Sequence, residues 1–350
     1  MKKAIPYLIL LLIAIESYSQ TTPIPDPVFE SILISMGIDT NGMTGNILNM
    51  DAEGVTNLII RNMGISDLSG IEAFVDLVML DCEDNLLTSL DLTFNTKLNT
   101  LDCHGNQLSS LNIQSNTMLQ TLACMDNQLN TIDLSKNLLL SDLSCQGNLI
   151  TELDLTNNTE LFQIVAHDNN LTAITFPSTQ NLLQIVWCYN NQLESIDLTN
   201  APILATLRFE NNNLNFLDLR NANNNAMHTM DARNNQNLQF ICVDDVNYSN
   251  SASLWNKDVT ASYSTTCTLS IHEDFLTNIN VHPNPVRNIL NVGLTNNEEI
   301  KKIEIYSVLG QLKSIETTSA INFSNYKSGV YFLRIRNKRG ASASSKIIKF

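Results

Sequence analysis

One asparagine returns about every 21 residues through the middle of this chain. It stands at Asn85, Asn106, Asn127, Asn148, Asn169, Asn191, Asn212 and Asn235, with successive gaps of 21, 21, 21, 21, 22, 21 and 23. Three residues before each comes Cys82, Cys103, Cys124, Cys145, Ala166, Cys188, Phe209 or Ala232. Two residues earlier again comes Leu80, Leu101, Leu122, Leu143, Ile164, Val186, Leu207 or Met230. A fixed period of this length means a stack of similar coils, each too small to bury its apolar side chains alone and each sealed by its neighbours. Such solenoids offer long surfaces and few enclosed pockets, which tilts the expectation from catalysis toward binding.

One coil reads Leu98-x-x-Leu101-x-Cys103-x-x-Asn106-x-Leu108-x-x-Leu111-x-Ile113-x-x-Asn116. It has two halves of similar pattern, each with a short alternating stretch suited to a strand with one buried face. Each half then turns at an Asn. A buried Asn there is predicted to satisfy backbone groups freed by the turn, in its own coil and the next. Cys82, Cys103, Cys124, Cys145 and Cys188 hold one site of the coil and should point inward. Parallel neighbours about 4.8 Å apart do not suit a disulfide, whose Cβ atoms converge to about 3.8 Å. These cysteines are read as reduced, small apolar groups. Cys242 and Cys267 lie outside the repeats and are the expected bonded pair.

Residues 77–240 resemble a leucine-rich repeat array of the 21-residue kind called IRREKO, on the pattern L-x-x-L-x-C-x-x-N-x-L-x-x-L-D-L-x-x-N. The pattern weakens late, where Ala201 and Ala222 replace the second-half Asn and the coil from Met227 stretches to Leu238. The array is taken as 58–240, between an N-terminal cap at 20–57 and a C-terminal cap at 241–267. Asp26-Pro27 followed by Val28 to Leu33 predicts a capped helix ending at Gly37, a lid for the degenerate first coil. Asp39-Thr-Asn41-Gly42 resembles the start of a calcium loop that accompanies some related arrays. Met43 fills the fifth position, where an oxygen ligand is needed, so no metal and no cofactor is expected.

The ends carry other signals. Residues 1–19 combine Lys2 and Lys3 with an apolar run from Ile5 to Ile15 and small residues before Gln20, the marks of a signal peptide. The run is too short to span a bilayer. From Asn278 to Phe350 there are 11 Lys and Arg against 4 Glu, while the chain as a whole carries −15. That reversal marks a domain boundary, with a linker at 268–279. The acidic solenoid lacks the Lys and Arg a nucleic acid would need. Short strand-like runs after 280 predict a small Ig-like β-sandwich. Pro283-Asn284-Pro285, Ile303 to Tyr306 through Gly310, Gly329-Val-Tyr331 and the basic final strand with Lys346 and Lys349 make 280–350 resemble a type A sorting domain of the type IX secretion system. The resemblance implies outer-membrane passage by that machinery in a Gram-negative bacterium. Removal of the domain would follow, with attachment to surface lipopolysaccharide or release.

The fold expected is thus a β-rich solenoid of leucine-rich repeats with a short N-terminal helical cap, then the sandwich. On its outward strand positions two patches emerge. Asp81, Glu83, Asp84, Asp102, His104 and Asp126 form an acidic cluster. Val165, His167, Ile185, Trp187, Tyr189 and Arg208 put aromatic and aliphatic groups, with an Arg, on a face expected to be polar, as at binding hot spots. His104 and His167 lie three coils apart, and no nucleophile elbow, zinc spacing or phosphate loop occurs. An exported protein that binds a protein or glycan, in adhesion for example, is favoured over a surface-coat protein without a ligand, and over an enzyme.

Overall fold

The computed structural model describes residues 21–266, 279–294, 300–307, 312–337 and 342–350. The signal segment, Cys267, Gly310 and all of the linker but Ile279 lie outside the described residues. Two compact units divide at Thr265 and Thr266.

In the first unit the first halves of the coils stack into a ten-stranded parallel sheet, from Asn57–Ile59 to Trp255–Lys257. The register is strict: Leu80, Leu101, Leu122, Leu143, Ile164, Val186, Leu207 and Met230 pair in turn. All eight are buried in one continuous core, with the residues of the cysteine site two positions on. The five repeat cysteines are free and buried. On the other side the second halves make strands only late, Glu152–Asp154 with Ala173–Thr175, and a four-stranded parallel sheet from Ser195–Asp197 to Ser262–Ser264.

The lid is built as its caps dictate. Asp26 Oδ1 accepts the N–H groups of Val28 and Phe29 at 2.8 and 3.2 Å, starting helix Pro27–Ser35. Gly37 follows at φ +72°, a left-handed stop. Asp26 Oδ2 then reaches the first coil, accepting from Ser66 N, Ser66 Oγ and Asp67 N at 2.8, 2.9 and 3.1 Å. Burial acts to raise the Asp26 pKa, but these bonds together outweigh it and hold the carboxyl below its usual range.

At the far end the coil geometry runs past 240. After a short helix, Val246–Ser251, Trp255–Lys257 joins the main sheet and Ser262–Ser264 the other. Trp255 closes the stack: it is buried, donates Nε1–H to Met227 O at 3.1 Å and meets Tyr248 and Tyr263 edge-on. Cys242 is disulfide-bonded.

The second unit has a three-stranded antiparallel sheet, in the order Ile279–His282, Ile289–Leu294, Ala320–Asn322, and a four-stranded one, in the order Leu312–Glu316, Ile300–Ser307, Gly329–Asn337, Ser342–Lys349. Ile279, counted with the linker on sequence, already belongs to a strand. Leu290, Val292, Ile303, Ile305, Leu333 and Ile347 from both sheets share one apolar core. Asn284 fastens the Pro-Asn-Pro segment to the last strand: its Nδ2 donates to Lys346 O at 2.8 Å and its Oδ1 accepts from Ile348 N at 2.9 Å. Tyr331 donates its hydroxyl to Lys327 O at 2.9 Å.

Candidate functional site

The repeated Asn does what its position requires, with one change of direction. Asn127 Nδ2 donates to Cys124 O and Met125 O in its own coil and to Cys103 O in the preceding coil, at 3.2, 3.1 and 3.0 Å. Its Oδ1 accepts from Leu108 N, also in the preceding coil, at 2.9 Å. Asn85, Asn106, Asn148, Asn169, Asn191, Asn212 and Asn235 repeat the arrangement. The ladder reaches back, where the next coil was expected, because the side chain points against the direction of growth at the turn.

The residue just before each ladder Asn is left-handed: Asp84, Asp126 and Asp168 at φ +53°, Asn190, Asn211 and Asn234 at +54° to +59°, Gly105 and Gly147 at +64° and +66°. Asp, Asn and Gly tolerate that conformation best. Asp84 and Asp126, read on sequence as part of an acidic patch, therefore have a backbone reason to be there. Likewise each Asp of the L-D-L strands closes a local turn, Asp91 on Thr93, Asp133 on Ser135, Asp154 on Thr156 and Asp197 on Thr199.

The rest of the acidic patch is internally paired. Arg61, which the sequence reading missed, bonds Asp81 and lies 3.2 Å from Glu83. It holds the position of Glu83 one coil earlier, but the degenerate first repeat hid that alignment. His104 Nδ1 sits 2.7 Å from Asp102 and 3.4 Å from Glu83. Burial works to lower the His104 pKa, but the bond to Asp102 and the charges of Asp102, Glu83 and Asp84 together raise it. Asp81 is buried, Asp102, Glu83 and His104 are half-buried, and Asp84 and Asp126 are exposed.

The aromatic patch is brought together in the rows that the repeat spacing dictates. Val165, Trp187 and Arg208 are consecutive partners across the sheet. Tyr189 is sandwiched: the His167 ring stacks on one side with centroids 4.1 Å apart, and the Arg208 guanidinium covers the ring at 4.2 Å. His167 Nδ1 holds Asp168 at 2.6 Å, and Arg208 bonds Glu210. Val165 was expected on the surface; it is only 6% exposed, closed in between its row neighbours Ser144 and Trp187. Ile185, His167, Trp187, Tyr189 and Arg208 remain half-buried. Trp187 Nε1 is buried without a hydrogen-bond partner among the described residues. Strand spacing of about 4.8 Å explains the sandwich, since flat groups in one row must stack on one another. The patch therefore shows ring edges and polar tips to solvent.

Residues 280–349 match the family described as secretion system C-terminal sorting domain. No curated protein matches the sequence significantly. Among solved structures, the functional domain of InlJ from Listeria monocytogenes, described as including a cysteine ladder, is 18% identical, covers 95% of this chain and 99% of its own length, and has a TM-score of 0.42. Internalin C2 of Listeria monocytogenes is 23% identical over 71% of this chain and 100% of its own, with a TM-score of 0.43. YopM of Yersinia enterocolitica is 20% identical over 54% of this chain and 42% of its own, with a TM-score of 0.40. The 21-residue coils and the matched C-terminal residues together identify the chain as a leucine-rich repeat solenoid carrying a type IX secretion sorting domain.

Proposed function

We propose that the solenoid is the working part of an exported protein, displayed on the outer cell surface or released, and that it recognises a protein partner through the strip around Trp187, Tyr189, His167 and Arg208. The observation that carries this reading is the cluster of half-buried aromatic groups and an Arg in adjacent coils of a sheet face lined for the most part by polar residues. Aromatic side chains with Arg supply contact area with few rotors to freeze. A glycan is the weaker partner here, because sugar stacking needs an open ring face and both faces of Tyr189 are taken. The sorting domain serves export, with Cys242 and Cys267 closing the end of the array.

The test is a pair of variants, Tyr189→Ala with Trp187→Ala, against a double change in the acidic patch, Glu83→Gln with Asp84→Asn. Retention of surface proteins and of a glycan array by each is compared with its melting curve. Loss of a protein ligand by at least about 30-fold, roughly 2 kcal/mol, with melting little changed, supports the reading. Unchanged retention with a sharply lowered melting point makes the strip structural, and the surface-coat alternative then stands.

A further inference from the structure

The turn-to-turn pairing of the array stops at one place. In the regular coils the residue after each ladder Asn donates its N–H to the turn one coil back. Gln128 N reaches Leu108 O at 2.9 Å, Gln192 N reaches Leu171 O at 2.8 Å and Asn213 N reaches Leu193 O at 3.0 Å. Gln236 is next in this row, and among the described residues its N–H does not bond Leu214 O. An inserted residue explains the break. Asn212 and Asn235 are 23 residues apart, but Leu217 pairs with Ile241, 24 residues on. One extra residue therefore lies between Asn235 and Ile241. The chain turns there, with Leu238 N on Asn235 O at 2.9 Å, and leaves the rung behind it unpaired.

The gap is an open cleft of about 340 Å³ at the turns that follow strands Thr206–Arg208 and Thr229–Ala232. Every residue that lines it is Asn or Gln, with no charged and no apolar side chain. Part of the lining is held in place. Asn190 Nδ2 donates to Asp168 Oδ1, Asn211 Nδ2 to Asn190 Oδ1 and Asn234 Nδ2 to Asn211 Oδ1, at 2.6, 2.7 and 2.7 Å. This chain fixes the Asn211 and Asn234 amides and ends on Asn234 Oδ1, an acceptor strengthened by the bonds behind it. The rest of the lining is Asn213, Gln236 and Asn237. All three are exposed, and their side-chain amides make no hydrogen bond among the described residues.

We propose that this amide cleft binds one residue of a neutral glycan, at a site separate from the strip around Trp187 and Tyr189. An amide presents a donor and an acceptor side by side, and a sugar hydroxyl both gives and takes a hydrogen bond. Two neighbouring hydroxyls can therefore pair with one amide. The lining offers no cation for an acidic sugar or a phosphate, and no carboxylate for a basic group. A peptide suits it less, because strand addition needs a sheet edge and pockets for side chains. Amides already held by their neighbours lose little freedom on binding. There is no aromatic ring in the cleft to stack on, so affinity rests on hydrogen bonds made in competition with water. For a single sugar the dissociation constant should be on the order of 1–10 mM.

The experiment is saturation-transfer difference NMR of the full chain, titrated with glucose, galactose, mannose, maltohexaose and cellohexaose. Tetraglycine serves as the probe for a peptide backbone. The expected result is saturable transfer from at least one sugar and none from tetraglycine. The double variant Asn213→Ala with Gln236→Ala should bind that sugar at least tenfold more weakly. Neither side chain is bonded within the protein, and a melting curve checks that the pair still folds. Asn237→Ala alone gives a second reading if it does not, at least threefold weaker. Gln128→Ala, at the same turn position of a regular coil, should bind as the wild type does. Four results would overturn the proposal. One is no saturable transfer from any of the sugars up to about 100 mM, well above the expected range. Another is tetraglycine saturating the cleft where no sugar does, which would make it a peptide groove. The third is a loss of less than tenfold in the folded double variant. The last is binding lost in Gln128→Ala, which would make sugar contact a general property of the turns.

Discussion

Each coil has two halves written in nearly the same letters, and they close in different ways. In the first half, Asn127 makes four hydrogen bonds, three through Nδ2 and one through Oδ1. In the second, Asn137 makes two, from Nδ2 to Ile113 O and Asn116 O of the preceding coil at 3.1 and 2.9 Å. Its Oδ1 is buried without a partner among the described residues, as are those of Asn95, Asn116 and Asn158. The left-handed residue makes the difference. Asp126 at φ +53° swings Asn127 into its own turn, whereas among the described second halves only Gly70, in the degenerate first coil, and Ala222 take a positive φ. With its turn held from both sides, the first half keeps pairing beyond the strand: Cys103 N reaches Ala123 O at 2.8 Å and Gly105 N reaches Met125 O at 3.1 Å. The second half of the early coils keeps only an isolated bridge, Asp91 to Asn112. In the early coils the half that carries the left-handed residue is thus the half that keeps a continuous sheet.

Chemistry sharpens the contrast most, because the free cysteines belong to the first halves alone. Burial raises all five thiol pKa values, that of Cys145 to about 12 from an ordinary 9.0. Native alkylation at pH 9 should therefore run on the order of a thousandfold slower than in denaturant, following the thiolate fraction. Unfolded thiols lose protons near pH 9 while folded ones keep them. Unfolding then releases protons above that pH, so stability should be unaffected by the thiols below pH 8 and fall between pH 9 and 12. Titrating thiols with and without denaturant checks both statements. Fast native labelling of Cys124 would mean that the first halves open more readily than their bonding indicates.

The two ladders predict a difference in stability. Asn127→Ala strands three carbonyls and one N–H, and should cost roughly 3 kcal/mol. Asn137→Ala strands two carbonyls but also removes a buried acceptor that had no donor, and should cost only about 1 kcal/mol. Urea midpoints by circular dichroism compare the two. An array is quasi-one-dimensional, so the midpoints and slopes should be read together. Equal losses would break the distinction drawn between the halves.

Much of this was legible because a period makes each residue testify several times. The buried rows, the cysteine site and the first Asn ladder follow from spacing alone, and the register bears them out residue by residue. What did not repeat stayed hidden. Arg61 sits in a degenerate coil, so the acidic patch looked more open than it is. The Tyr189 sandwich needs the reach of Arg208 from one row into another, which no pattern of letters encodes. The last coil looked like a foreign cap because Val246–Ser251 interrupts it, yet Trp255 falls on the main sheet. Glu30 and the loop residues Thr44 to Asn46 that it holds are 14 to 16 residues apart, a contact only the folded lid creates.

The left-handed row itself offers the finest test. Gly147 has φ +66°, and a Cβ there would lie 2.3 Å from Asp126 Oδ1. Gly105 meets Asp84 Oδ1 in the same way, at 2.1 Å. Glycine thus alternates with aspartate up to Asp168, each small residue making room for the carboxylate before it. Beyond Asp168 the row solves the crowding differently: Asn190 donates to Asp168 Oδ1 at 2.6 Å, Asn211 to Asn190 Oδ1 at 2.7 Å, and Asn234 to Asn211 Oδ1 at 2.7 Å. An amide turns close approach into a hydrogen bond, which a methyl group cannot do. Gly147→Ala should therefore cost about 1 kcal/mol, for the left-handed backbone and the contact together. Gly147→Asn should cost only a few tenths of a kcal/mol, since Asn tolerates the backbone and can donate to Asp126 as Asn190 does to Asp168. Paired urea melts resolve the difference. If Asn is no better than Ala at this site, crowding and not hydrogen bonding rules the row, and the left-handed residue shapes the first half by its backbone alone.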